Sequence, residues 1–284
     1  MGNDGSMPTT APALVHLTTL DAYTRDLGSP VAPLDGGQGR CDDMPPMPKA
    51  KSPPASTEQR VRETLAWLER RGTKRNRDGM ARYAISAPKV FGVSVAMIRL
   101  LGKKLGRDHE LALALWETGW YEARMLTAFV DEPERVTPTQ MDRWARDFDN
   151  WAICDTLCFH LFDRTPHAWK KVEQWSRRRE EFVKRAAFAL LASLALHDKA
   201  APDAPFARSL RLIENAAPDD RNFVKKAVSW ALRAVGRRNR ALSGPAVDIA
   251  RRLAESDERA ARWVGKDALR ELTSAAVRKK LAAR

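Results

Sequence analysis

The sequence predicts an all-α fold: a solenoid of short helical repeats with a basic concave face, preceded by a disordered tail. Three observations carry this. From Thr57 onward apolar residues recur at helical spacing, and no segment sustains the period-2 alternation of a strand. FVKRAAFALLASL at 182–194 and FVKKAVSWALRAV at 223–235 align without gaps at an offset of 41 residues. WVGKDALREL at 263–272 is a weaker third copy, with Lys266 falling 40 residues after Lys226. A period near 40 in a helical chain marks HEAT-like repeats: a helix pair cannot bury its apolar face alone, so neighbours stack into a curved array.

Taken in order, residues 1–57 are rich in Pro, Gly, Ser, Thr and Asp and close on MPPMPKAKSPPAST. Such a composition buries too little apolar surface to offset its ordering entropy, so a disordered tail is expected, with a transient helix around Leu14–Leu20. Residues 58–284 form the folded domain. Ser56 or Thr57 caps a helix reaching about Arg71, whose apolar face carries Val61, Leu65 and Leu68. Further helices are expected near 76–85, 94–106, 108–118, 121–131, 138–147, 150–162, 166–177, 180–197, 204–215, 220–238, 244–255 and 258–282. Pro88, Gly119, Pro133, Pro138, Pro166, Pro202 and Pro218 punctuate them.

Charge is unevenly shared. The chain has 49 basic and 36 acidic residues; four and six of these fall in residues 1–57, leaving 45 and 30 in the folded part, a net of +15. A field of that sign favours a polyanionic partner through steering and counterion release. Three cysteines, Cys41, Cys154 and Cys158, do not form a disulfide framework, and the last two read as small core residues of a reducing compartment. With no apolar run of membrane-spanning length and no secretory signal pattern, the expectation is a cytoplasmic, nucleoid-associated monomer without membrane contact.

The segment DNWAICDTLCFHLF at 149–162 poses the functional question, because Asp155 shares a helix face with Trp151 inside an apolar helix. A carboxylate there is costly to bury without a cationic or hydrogen-bonding partner. Arg185, set among Phe182, Val183, Ala186, Ala187 and Leu190, lies 30 residues on, about one helix pair along the array. Trp230 follows Lys226 by four residues in the next repeat. Stacking of equivalent helices would gather Trp151, Asp155, Arg185 and Trp230 on the concave face.

On these residues, Trp151-x-x-x-Asp155, FVKRAAFALL with Arg185 and FVKKAVSWALR with Trp230, the chain over 58–284 resembles the AlkD-type DNA alkylation repair enzymes, HEAT-like alkylpurine DNA glycosylases. GMARYAISAPKVFGVSVAMIR at 79–99, with Tyr83 and the Gly92 turn, is similar to the family's DNA-contacting region, while the 57-residue tail departs from its compact pattern. The resemblance implies hydrolysis of the N-glycosidic bond of cationic N3- or N7-alkylated purines in double-stranded DNA, leaving an abasic site, with the lesion held through backbone and sugar and not extruded into a pocket. In those roles Trp151 and Trp230 attract the cationic base. Asp155, kept ionised by Arg185, stabilises the developing sugar cation and positions water. Tyr83, Lys170, Lys171, Lys225, Lys226 and Lys266 are the expected DNA contacts.

Two other readings stay open. A HEAT-like module that binds nucleic acid without breaking a bond would show the same repeats and charge, but has no use for an acid facing a polyanion. A protein-interaction scaffold would carry a less basic concave face. Cys154-x3-Cys158-x-His160 does not complete a metal set, because His160 is rotated away and no second ligand pair follows. No phosphate-cradling glycine-rich loop occurs, so neither a metal nor another cofactor is expected.

Overall fold

The computed structural model describes residues 56–283. The expectations for residues 1–55, including the disordered tail and its transient helix, lie outside the described residues. Fourteen α-helices and no strand are present among the described residues: α1 (Thr57–Arg71), α2 (Lys74–Met80), α3 (Val95–Leu105), α4 (His109–Glu117), α5 (Tyr121–Val130), α6 (Pro138–Arg146), α7 (Trp151–His160), α8 (Ala168–Trp175), α9 (Glu181–His197), α10 (Asp203–Ala216), α11 (Asn222–Gly236), α12 (Arg240–Ala254), α13 (Arg259–Leu272) and α14 (Ala275–Ala282). None is long and apolar enough to cross a membrane.

Local chemistry fixes most starts. Ser56, Thr73, Ser94, Asp108, Thr137, Asn150, Asn239 and Ser274 each accept a hydrogen bond from a backbone N–H in the first turn of the helix that follows. Three boundaries differ from expectation. The helix near 76–85 starts at Lys74 and gives way to a 3-10 turn over Ala81–Tyr83, closed by Ala84 at φ 52°. The helix expected from residue 244 starts at Arg240, because Asn239 caps it and Pro245 is absorbed in its interior near the N-terminal end. The single helix expected over 258–282 is two, since Ser274 adopts an extended backbone and recaps the chain through Val277.

The helices form two layers. In the first, α3, α5, α7, α9, α11 and α13 pack each against the next; the second contains α4, α6, α8, α10 and α12, laid against them. Close packing within the second layer is sparser, chiefly α10 on α12 and α1 on α4. A stack held more tightly on one side curves toward it, so the first layer lines the concave side. The packing leaves no room to spare. At Gly265 of α13 an added Cβ would lie 2.2 Å from the Ala254 nitrogen, so only glycine permits α12 and α13 to approach this closely.

The segment between α2 and α3 is held by one side chain. Glu122 of α5, fully buried, accepts from the backbone N–H of Phe91 (3.0 Å), Gly92 (2.6 Å) and Val93 (3.1 Å). Gly92 sits at φ +87°, with Asn76 and Thr73 donating to its carbonyl. This clamp places Tyr83 and the residues after it against the concave layer.

Candidate functional site

α7 carries the acid and α9 its partner. Asn150 caps α7 by accepting from the Ile153 N–H, which sets Asp155 in the second turn. The thiols of Cys154 and Cys158 donate to the carbonyls of Phe182 and Ala186 on α9, so both act as small packing groups between helices. Arg185 then meets Asp155 side by side: Nε donates to Oδ1 at 2.9 Å and Nη2 to Oδ2 at 2.6 Å. Its Nη1 donates to the Phe223 carbonyl of α11 at 2.8 Å. One guanidinium thus ties three successive concave-layer helices.

Both partners are buried, Asp155 at 0% and Arg185 at 1% exposure. Burial pushes the Asp155 carboxyl up, against the opposing pull of the Arg185 charge and its hydrogen bonds. Burial works downward on Arg185, but Asp155 more than offsets it and holds the guanidinium above its ordinary value. With bidentate geometry on both sides, the pair is ionic at neutral pH.

The indoles bracket the acid along α7 and do not face each other across it. Trp151, one turn before Asp155, is fully buried, and its Nε1 donates to the Tyr83 carbonyl at 2.8 Å. Trp230 of α11 is half-buried and stacks on Phe159, one turn after Asp155, with centroids 4.8 Å apart and planes 7° from parallel. The expected two-indole cradle is therefore replaced by a linear series, Trp151, Asp155 and Phe159, with Trp230 docked on its far end. The Tyr83 side chain is 39% exposed, and its backbone serves as the anchor for Trp151.

Arg185, Lys226 and Lys266 do occupy successive concave-layer helices, but their environments grade from buried through half-buried to exposed. Burial, then the nearby Arg185 and Lys225 charges, holds the Lys226 ammonium below its ordinary value. Lys225 lies over the Trp263 ring, 5.5 Å from its centroid. Of the expected DNA contacts, Lys170 and Lys171 stand on α8 in the second layer, and Lys171 requires correction. Lys171 is 2% exposed, pairs with Asp142 at 2.7 Å and lies over Trp175, so it is a structural cation and touches no DNA in this arrangement. Adjacent residues on a helix point about 100° apart, so one lysine of such a pair turns inward while Lys170 stays exposed.

Two further groups on the concave layer escaped the sequence reading. Ser229 of α11 donates to Asp267 of α13 at 2.7 Å, and Arg233 reaches Glu271 at 2.7 Å, continuing the ionic ties between neighbouring helices. The only available hint was Asp267 directly after Lys266, where the other two copies carry Ala186 and Ala227. At the C-terminal end of α7, His160 Nε2 lies 2.9 Å from Arg99 Nη2, and its ring is tilted against Phe129. Burial and the charges of Arg99, Arg164, His197 and Arg107 push His160 down to about 3, so it is neutral and accepts from Arg99.

The sign of that shift yields a measurement. A folded-state value below the ordinary one of about 6.5 means the unfolded chain binds the proton first. The stability this gives is complete above about pH 6.5 and is lost as pH falls toward about 3. At pH 5 the loss is roughly 2 kcal/mol, from about 1.4 kcal/mol per pH unit over about 1.5 units. Denaturant titrations of wild type and His160→Gln at pH 7 and pH 5 check this: the variant should lack that part of the acid slope, and parallel slopes would refute the assignment.

A two-layer helical array with a tightened concave layer, an excess of cations and an acid–guanidinium pair across its helices defines a repeat protein built to hold a polyanion. A family model described as DNA alkylation repair enzyme matches residues 64–272, and the chain belongs to that family. No curated protein matches the chain significantly. Among solved structures, one described as "a new family of proteins related to the HEAT-like repeat DNA glycosylases with affinity for branched DNA structures" superposes with a TM-score of 0.62 at 20% identity. That match covers 75% of this chain and 95% of the other, and identifies the fold as HEAT-like.

Proposed function

We propose that this chain binds double-stranded DNA along its concave layer and hydrolyses the N-glycosidic bond of cationic N3- or N7-alkylated purines. The observation that carries the reading is the Asp155–Arg185 pair, ionic and bidentate, which joins α7, the helix of Trp151, to α9 beside the helix of Trp230, in a protein of this family. Alkylation at N3 or N7 gives the base a positive charge and makes it a good leaving group, so no strong general acid is needed. As the bond lengthens, the deoxyribose develops oxocarbenium character. A fixed carboxylate stabilises that charge far more in a water-poor site than in bulk water, and can orient the attacking water. Arg185 keeps Asp155 ionised and fixes both oxygens in direction. Lys225, Lys226 and Lys266 supply phosphate contacts, each of which adds about 0.9 to the slope of log affinity against log salt. Because Asp155 is covered, the sugar reaches it only when the side chains over it give way, a cost met by DNA binding energy.

One observation favours a second reading, a DNA-binding protein that breaks no bond. Asp155 and Trp151 are both fully buried, and Arg185 occupies both carboxylate oxygens. Incubating the full chain with methylated duplex DNA and chromatographing the released bases separates the two. Release of N7-methylguanine above the spontaneous rate is expected. Salt-sensitive binding with no release would overturn the glycosylase reading and leave the binding one.

A further inference from the structure

The second layer opens between α8 and α10. The two helices meet near their N-terminal ends, where Trp169 and Phe206 pack edge to face with centroids 4.8 Å apart, and they have little close backbone contact beyond that point. Two adjoining cavities of about 320 and 550 Å³ occupy the gap, and Arg177, Arg208 and Leu212 line both. The two are chemically unlike. Trp169, Val172, Pro205 and Leu212 give the smaller one apolar walls, and all but Val172 remain only half-buried. The larger one is lined by Arg177, Arg208 and Arg211 with Lys184, Ser176 and Asn215, and by no carboxylate. Lys184 is already paired with Asp219 at 2.9 Å, and Glu214 of the same stretch of α10 is held by Arg252. Arg177, Arg208 and Arg211 are exposed and have no hydrogen-bonded or ion-paired partner among the described residues. Of these two cavities Glu173 lines only the apolar one, so nothing acidic lines the cationic one.

We propose that this cleft docks an acidic peptide segment of a partner protein, which seats a bulky apolar side chain in the smaller cavity and carboxylates against the three guanidinium groups of the larger. Arg208, Arg211, Leu212 and Asn215 fall at i, i+3, i+4 and i+7, so one face of α10 carries both the charge and the apolar wall. Each guanidinium offers a planar fork of donors that fits a carboxylate, and clusters of arginine with a neighbouring apolar pocket are a recurrent means of reading acidic motifs.

The dimensions set the spacing of the motif. α8 has 8 residues, a length of about 12 Å at about 1.5 Å per residue. An extended peptide rises about 3.3 Å per residue, so about four of its residues span the cleft, with the apolar side chain two to four positions from the acidic ones. The paired chemistry is what selects a peptide. A duplex backbone presents charge with its bases stacked inside, and leaves the apolar cavity unfilled. A small free anion needs only the cationic cavity. The inference goes beyond the glycosidic reading and does not depend on it, since Arg208 and Arg211 stand on α10, outside the concave layer.

The probe is a fluorescein-labelled peptide, Gly-Ser-Leu-Gly-Asp-Asp-Asp-Gly, with two controls that replace its leucine by serine or its aspartates by asparagine. Fluorescence anisotropy follows its binding to full-length wild type, Arg208→Glu/Arg211→Glu and Lys225→Glu/Lys266→Glu at one fixed salt concentration, and circular dichroism checks folding. The two variants change net charge equally, so a general field would weaken both alike. Wild type should bind the probe saturably and about tenfold or more tightly than either control. The cleft variant should lose about tenfold or more in probe affinity while its affinity for linear duplex DNA stays within about twofold. The concave variant should keep the probe within about twofold and weaken on the duplex. Serine control and probe binding equally well would overturn the proposal and leave a simple anion site. Equal loss of the probe in both variants would reduce it to the overall field. A cleft variant that loses duplex or single-stranded DNA as strongly as the probe would make the cleft a nucleic-acid site, and wild type without saturable binding of the probe would leave no peptide site at all.

Discussion

Asp155→Asn is expected to lower base release from methylated DNA by two to three orders of magnitude, and at the same time to cost about 3–5 kcal/mol of stability. The first figure is the usual loss when a single preorganised group that stabilises transition-state charge is removed. The second follows from burial. Arg185 is 1% exposed and would stay protonated with the Phe223 carbonyl as its one undiminished partner, and an uncompensated buried charge costs that much. Because one substitution moves both quantities, a control must part them. Asp155→Leu/Arg185→Met removes both charges and fills the space with apolar groups, so stability should return to within about 1–2 kcal/mol of wild type. Base release should not return. A double variant that regained activity would show that the pair serves the fold alone. An Asp155→Asn variant with full activity would end the assignment of the acid. Denaturant titration and base chromatography on the same three proteins give the answer.

Glu122→Ala is expected to be the most damaging substitution remote from the acid, lowering stability by about 3–5 kcal/mol. The carboxylate accepts from three consecutive backbone N–H groups, at 3.0, 2.6 and 3.1 Å, and no water can replace it at 0% exposure without opening the packing. Removing it orphans three donors and releases the segment that carries Gly92. DNA binding should weaken with it, because Tyr83, whose carbonyl anchors Trp151, belongs to the region this clamp secures. Chemical denaturation gives the first effect, and protease sensitivity between α2 and α3 gives the second. A stability loss below about 1 kcal/mol would mean the three amides find other acceptors.

Much of the fold was legible because it is periodic. The apolar spacing, the helix-capping Ser, Thr, Asp and Asn residues and the offset of 41 between the two FVK segments are local or repeated signals, and they survive without knowledge of the partner helices. Two of the three boundaries that differed are those where a nearby residue overrode a breaker rule. Asn239 capped a helix despite Pro245, and Ser274 ended one in a stretch without glycine or proline.

The site divides the same way. That Asp155 needs a cation, and that Arg185 is one repeat along, follow from the cost of burying charge and from the repeat length, both written in the chain. Which atoms meet does not follow. Whether Trp230 covers Asp155 or docks on Phe159, whether Lys171 points to solvent or to Asp142, and whether Glu122 reaches three amides some thirty residues away all depend on helix rotation and side-chain direction. A rotation of one residue, about 100°, exchanges core for surface. The sequence by itself determined the helices, their repeat and the need for a charge pair. Only the tertiary packing decided which side of each helix is buried, because that choice is made jointly by neighbours competing for the same apolar space.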